Sequence, residues 1–134
     1  MRRLKVRTEV CSGCRACEVA CVAYHEGHFG TSSARIRIVK TEHLGLDQPH
    51  VCRQCCPAPC LEACPSGALY RDEDTGAVRV RASVCTGCGA CVAACPFEMA
   101  RIHPQTGLAT ICDLCGGDPA CVARCATGAI RYEE

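Results

Sequence analysis

Short stretches of alternating apolar and polar residues are scattered along the chain, several of them bounded by turn-forming residues. Residues 33–40 read SARIRIVK, in which Ile36 and Ile38 alternate with Arg35 and Arg37. That is the two-residue period of a half-buried strand. In residues 77–81, Val78 and Val80 alternate with Arg79 and Arg81. Residues 68–71 predict the opposing strand, because DEDTG at residues 72–76 supplies the turn between them. Residues 99–102 and 108–111 flank HPQTG and predict a second hairpin. Residues 4–7 and 129–131, near the two ends of the sequence, are candidates to pair with each other. Residues 42–49 read as a linker. The expectation is an α+β fold of short strands and short helices, with little regular secondary structure.

Composition changes that picture. The 134 residues include no Trp, two Phe and three Tyr, but seventeen Cys. Large aromatics normally supply much of a core's buried area, so this core needs another source of cohesion, disulfides or metal. Disulfides are the weaker choice. Met1-Arg2-Arg3-Leu4-Lys5 is basic with no apolar run behind it, and the first cysteine motif already begins at Cys11, which leaves no room for a cleaved leader. The cysteine count is odd, and neighbours two residues apart are poorly placed to bridge one another. The expected setting is a reduced cytoplasm. No apolar run approaches the ~18 residues of a membrane span. Fifteen basic residues against fourteen acidic ones leave a formal charge of +1. Arg2, Arg3, Lys5 and Arg7 form a basic cluster without interleaved aromatics, a solvated strand edge rather than a nucleic-acid surface.

The cysteines fall into four groups: Cys11, Cys14, Cys17 and Cys21; Cys52, Cys55, Cys56, Cys60 and Cys64; Cys85, Cys88, Cys91 and Cys95; Cys112, Cys115, Cys121 and Cys125. Each begins with CxxC and ends with CxxxC, an internal repeat. The third group, followed by Pro96, is the C-x2-C-x2-C-x3-C-P run of bacterial [4Fe–4S] proteins. A loop with two-residue gaps wraps one cluster with three thiolates. The CxxxC end makes a helical turn, and its last cysteine reaches a neighbouring cluster. Structural zinc sites instead pair two CxxC units across a longer gap. By this logic Cys64 joins Cys85, Cys88 and Cys91, and Cys95 joins Cys52, Cys60 and either Cys55 or Cys56. Likewise Cys125 joins Cys11, Cys14 and Cys17, and Cys21 joins Cys112, Cys115 and Cys121. The result is two bacterial-ferredoxin-like two-cluster modules: an outer one at residues 1–45 and 105–134, and an inner one at residues 46–104 inserted into it.

With CRQC, CPSGALYRDEDTGAV and CDLCGGDPAC in this order, nearly the whole chain resembles the four-cluster ferredoxin-like iron–sulfur subunits of dimethyl sulfoxide reductase-type enzymes and their relatives. The resemblance implies the same exchanged pairing, and its C-x2-C-x4-C-x3-C spacing selects Cys52, Cys55, Cys60 and Cys64, leaving Cys56 spare. It implies four [4Fe–4S] clusters and an electron-transfer subunit, not an enzyme. The implied partner is a large catalytic subunit, with a leaning to a tungsten or molybdenum pterin aldehyde oxidoreductase of anaerobic metabolism. A free-standing polyferredoxin, or a subunit of a formate dehydrogenase, hydrogenase or carbon monoxide dehydrogenase, is the alternative. Ala126 stands where proline often follows the last cysteine, and the sequence lacks long insertions and an anchoring segment. Self-association into a longer wire is a further expectation; contacts to membrane or nucleic acid are not expected. Gly13, Gly87 and Gly89 are candidates to let backbone amides approach a cluster. Arg15, Arg53, Arg101 and Arg124 are candidates to offset its charge. The five histidines show no carboxylate partners at ligand spacing and read as surface residues, with His25 and His28 as candidates to face an outer cluster.

Overall fold

The computed structural model describes residues 2–31 and 33–133 of the chain. Its sheets are all two-stranded and antiparallel. β1 (Arg3–Val6) pairs with β8 (Ile130–Glu133), placing Leu4 opposite Tyr132 and Val6 opposite Ile130. β4 (Leu69–Arg71) pairs with β5 (Val78–Val80), and β6 (Arg101–Ile102) with β7 (Ala109–Thr110). These three ladders follow the apolar alternation and the turns between its segments.

The fourth ladder corrects the linker reading. β2 (Arg37–Thr41) folds back on β3 (Leu46–His50), through a 3-10 turn at Glu42–Leu44 and Gly45 in the left-handed region at φ +62°. The strand expected at residues 33–40 therefore starts later. Ala34, Ile36 and Ile38 are buried in alternation as expected. Before Arg37, however, the backbone serves another purpose: the Arg35 amide donates to Cys21 Sγ at 3.2 Å, and its guanidinium donates to the Ile111 carbonyl at 3.0 Å.

All four helices begin beside a cysteine loop. α1 (Ala16–Glu26) carries Cys17 and Cys21, and continues well past a single turn before Gly27, at φ +72°, closes it. α2 (Pro59–Ala63), α3 (Ala90–Ala94) and α4 (Ala120–Arg124) carry Cys60, Cys91 and Cys121, and are capped at their C-termini by Cys64, Cys95 and Cys125. α1 packs on α4, and α2 on α3. Around the first pair lies a core that includes Leu4, Val22, Ile36, Leu114 and Ile130; around the second lies one that includes Leu69, Val78, Ala100 and Ile111. Cysteines line both cores. Among the described residues, no helix is long and apolar enough to cross a membrane.

Candidate metal centres

Three separate cavities are each lined by four of the predicted cysteines. Cys52, Cys55, Cys60 and Cys95 share one, Cys64, Cys85, Cys88 and Cys91 a second, and Cys11, Cys14, Cys17 and Cys125 a third. In each, the fourth cysteine arrives from a different helix end than the loop that supplies the other three. Cys21, Cys112, Cys115 and Cys121 are related through the packing of α1 on α4 and through charge: Cys21 and Cys121 act on Cys112, and Cys21 and Cys115 act on Cys121. Cys56 is exposed and lines none of these cavities; it faces a different one, beside Arg71.

The loops owe their shape to left-handed residues. The residue before the second cysteine of every CxxC has positive φ: Gly13, Gln54, Gly87 and Leu114. Glycine takes this conformation freely, while other residues are uncommon there. Gln54 and Leu114 are held by the interior, at 2% and 1% exposure. Gln54 also joins two cysteine loops: its Nε2 donates to the Cys112 carbonyl at 2.7 Å, and its Oε1 accepts from the Val78 amide at 2.9 Å.

Two classes of thiol result. Burial pushes Cys17 and Cys121 up to about 12 and Cys52 up to about 11; neighbouring charge adds to it, from Glu18 and then thiols at Cys17 and from thiols at Cys121 and Cys52. Thiolates crowded in this way are disfavoured unless a cation sits among them. The exchanged cysteines instead receive hydrogen bonds. The Ser66 hydroxyl, at 3.5 Å, and the Ala68 amide, at 3.3 Å, bring Cys64 down to about 7. Burial opposes ionisation of Cys95 and Cys125, but the Met99 amide, at 3.4 Å, leads the bonds that lower the first, and the Thr127 hydroxyl, at 3.6 Å, those that lower the second. Four soft sulfur donors around each space, at least one of them in each raised by burial and neighbouring charge, fit an iron–sulfur core. Arg101 adds to the fit. Its Nη2 is buried without a hydrogen-bond partner among the described residues, and its charge, opposed by burial and by Arg37, is supported by Glu18 and then by Cys21.

Several supporting residues carry no local signal in the sequence. Glu18 is 3% exposed between α1 and β2, accepting from Arg15 Nη1 at 2.9 Å and from the Ile38 amide at 2.7 Å. The surface reading of the histidines is corrected at two positions. His25 sits between the Cys21 carbonyl, 2.9 Å from Nδ1, and Asp113 Oδ1, 3.0 Å from Nε2. Burial opposes its charge, yet the hydrogen bonds to Asp113 and Cys21 together outweigh burial and raise the imidazole to about 9. His103 is buried as well. Its Nδ1 accepts the amides of Gln105 and Thr106, so Nε2 carries the proton toward Glu26 Oε1 at 2.5 Å. The glycine candidates separate too. A Cβ on Gly87 would strike the Gly107 carbonyl oxygen and one on Gly13 the Asp47 carboxylate, whereas Gly89 opens on free space.

The chain is similar to known iron–sulfur proteins. Residues 45–134 match the family described as "4Fe-4S dicluster domain". The chain is 48% identical over 120 residues to the "Aliphatic sulfonate oxidoreductase, polyferredoxin-like subunit" of Pyrococcus furiosus, covering 90% of this chain and 69% of that one. It is 41% identical over 135 residues to the "Thiosulfate reductase electron transfer subunit PhsB" of Salmonella typhi, covering 91% and 70%. It is 38% identical over 138 residues to "Protein NrfC" of Escherichia coli, covering 92% of this chain and 60% of that one. Among solved structures, the active-site complex BamBC of benzoyl coenzyme A reductase with benzoyl-CoA shares the fold, at TM-score 0.57 and 24% identity, over 98% of this chain and 78% of that one.

Proposed function

The chain belongs to the 4Fe–4S dicluster family of ferredoxin-like electron-transfer subunits, and we propose that within it this chain carries four [4Fe–4S] clusters and relays single electrons between a large catalytic oxidoreductase subunit and an acceptor. Each cluster, when bound, supplies one-electron chemistry. The observation that carries the reading is the shared lining of three cavities by the exchanged cysteine sets. Cys95 and Cys64 tie together the sets of an inner module at residues 46–104. Cys125 and Cys21 tie together those of an outer module at residues 1–45 and 105–134.

Charge acting between thiols of different sets supports an order for the four. Cys91 feels Cys60, Cys112 feels Cys52, and Cys121 feels Cys17. The sets therefore follow one another from Cys64, Cys85, Cys88 and Cys91, through Cys52 and Cys112, to Cys11, Cys14, Cys17 and Cys125. Each terminal set has an exposed member, Cys88 at one end and Cys14 at the other. An arrangement with both ends at the surface suits passing electrons through the chain.

The partner we favour is a tungsten or molybdenum pterin enzyme of the aldehyde oxidoreductase type in an anaerobic cytoplasm, on the strength of the sequence resemblance. A second copy extending the wire, a free-standing polyferredoxin, or service to a formate dehydrogenase, hydrogenase or carbon monoxide dehydrogenase are the variants of this role.

The test is spectroscopic. Anaerobically prepared protein should hold about sixteen irons per chain. Cys125→Ser should lose the same reduced-cluster resonance as Cys14→Ser, and Cys21→Ser the same one as Cys115→Ser. If Cys125→Ser and Cys115→Ser instead share the missing signal, the exchanged pairing is wrong. A preparation with zinc and no iron would end the proposal.

A further inference from the structure

The basic residues at the start of the chain do more than edge a strand. In β1, Leu4 is buried while Arg3 and Lys5 project on the opposite face, as alternate residues of a strand do. They open onto a groove of about 730 Å³ that also receives Arg53; among the described residues Glu98 is the one acid on its lining. That space suits a peptide loop rather than a single ion. Arg53 is held in place, its guanidinium 4.1 Å above the Phe97 ring and its carbonyl accepting from Arg3 at 3.4 Å. Phe97 is 37% exposed, so the groove joins a fixed arginine to an accessible aromatic, the residue types that dominate interface energetics.

The groove's walls belong to two of the cysteine cavities. Arg53 and Phe97 also line the cavity of Cys52, Cys55, Cys60 and Cys95, and Pro49 also lines that of Cys11, Cys14, Cys17 and Cys125. Anything seated there shares lining residues with both. The local charge also runs against that of the whole. Four clusters at about −2 each would leave the loaded chain at roughly −7, and the cationic groove would stand out in that field.

From these observations we infer that the groove between β1, β3 and the segment after Cys95 is the docking surface for a carboxylate-rich face of the protein that exchanges electrons with this chain. Complementary charge steers such encounters and sets their rate, and electron-transfer interfaces are small. The inference rests on the electron-transfer role proposed above.

The experiment uses the loaded, dithionite-reduced chain, from which ferricyanide takes one electron per cluster. Stopped-flow rates are read against ionic strength, with hexaammineruthenium(III) as the cationic comparison oxidant. Arg3→Gln/Lys5→Gln replaces no residue that lines the three cysteine cavities and keeps the Arg53–Phe97 stack, giving up the Arg3 bond to the Arg53 carbonyl. Lys40→Gln/Arg81→Gln removes the same charge from elsewhere on the surface. The groove pair should slow ferricyanide at low salt by up to on the order of tenfold, flatten its salt dependence, and leave the ruthenium rate unreduced. The control pair should change the ferricyanide rate far less. Poly-glutamate should slow ferricyanide oxidation of the native chain and spare the groove variant. Equal effects of the two pairs, or poly-glutamate inhibition that survives in the groove variant, would overturn the inference. Iron content measured on the same samples keeps the two readings apart, since a native chain without clusters refutes the electron-transfer role instead.

Discussion

At the scale of single residues, backbone shape dominates the cysteine loops. Gly87 and Gly89 flank Cys88, and both have left-handed φ, +73° and +79°. Local strain from an added Cβ is therefore similar at the two, about 1–2 kcal/mol. Their surroundings differ. At Gly87 the new carbon meets the Gly107 carbonyl oxygen, which cannot swing aside as a side-chain tip would, while at Gly89 there is open space. Gly89→Ala should lower stability by about that strain and keep a full iron load. Gly87→Ala should cost more and lose the resonance it shares with Cys88→Ser. Equal iron loss in both variants would mean that both glycines admit the cluster itself.

At the scale of elements, α1 and the β2–β3 hairpin are joined by one buried carboxylate. Glu18 is the acceptor for the Ile38 amide. Glu18→Ala leaves that buried donor unpaired, at a cost of about 1–3 kcal/mol. Glu18→Gln keeps an acceptor there and gives up the charge that pairs with Arg15, whose side chain is 42% exposed, and that supports Arg101. Chemical denaturation should rank native, then Glu18→Gln, then Glu18→Ala; equal losses would assign the stability to the ion pair instead. What was legible in the sequence divides along the same line. The β4–β5 and β6–β7 hairpins could be read because their turns lie between their strands, and β1–β8 because both segments carry apolar residues in a strand pattern. β3 could not, because LDQPH lacks that pattern and Pro49 argues against a strand. The loops that bring three cysteines to each cavity were legible because loop spacing is a local property. Glu18, Gln54, and the His25–Asp113 pair were not, because their partners lie 20 to 88 residues away in sequence.

For the whole molecule the question is what replaces an aromatic core. The largest fully buried side chains are Ile111, Leu114, Gln54, Val22 and Val78, with no aromatic among them. Cys17, Cys21, Cys91 and Cys121 occupy core positions, where small thiols bury little apolar area. The sheets are two-stranded, and an isolated pair of strands is at best marginally stable in water. Cohesion must then come from whatever draws the thiols of α1, α2, α3 and α4 inward, and metal binding of that kind counts directly toward folding free energy. Stripping the iron anaerobically with a chelator under reducing conditions should therefore abolish dispersed amide NMR signals throughout the chain. Iron and sulfide added back should restore them together with the visible absorbance. An iron-free chain that keeps its dispersed spectrum would show that packing alone sustains this fold, with the clusters as passengers.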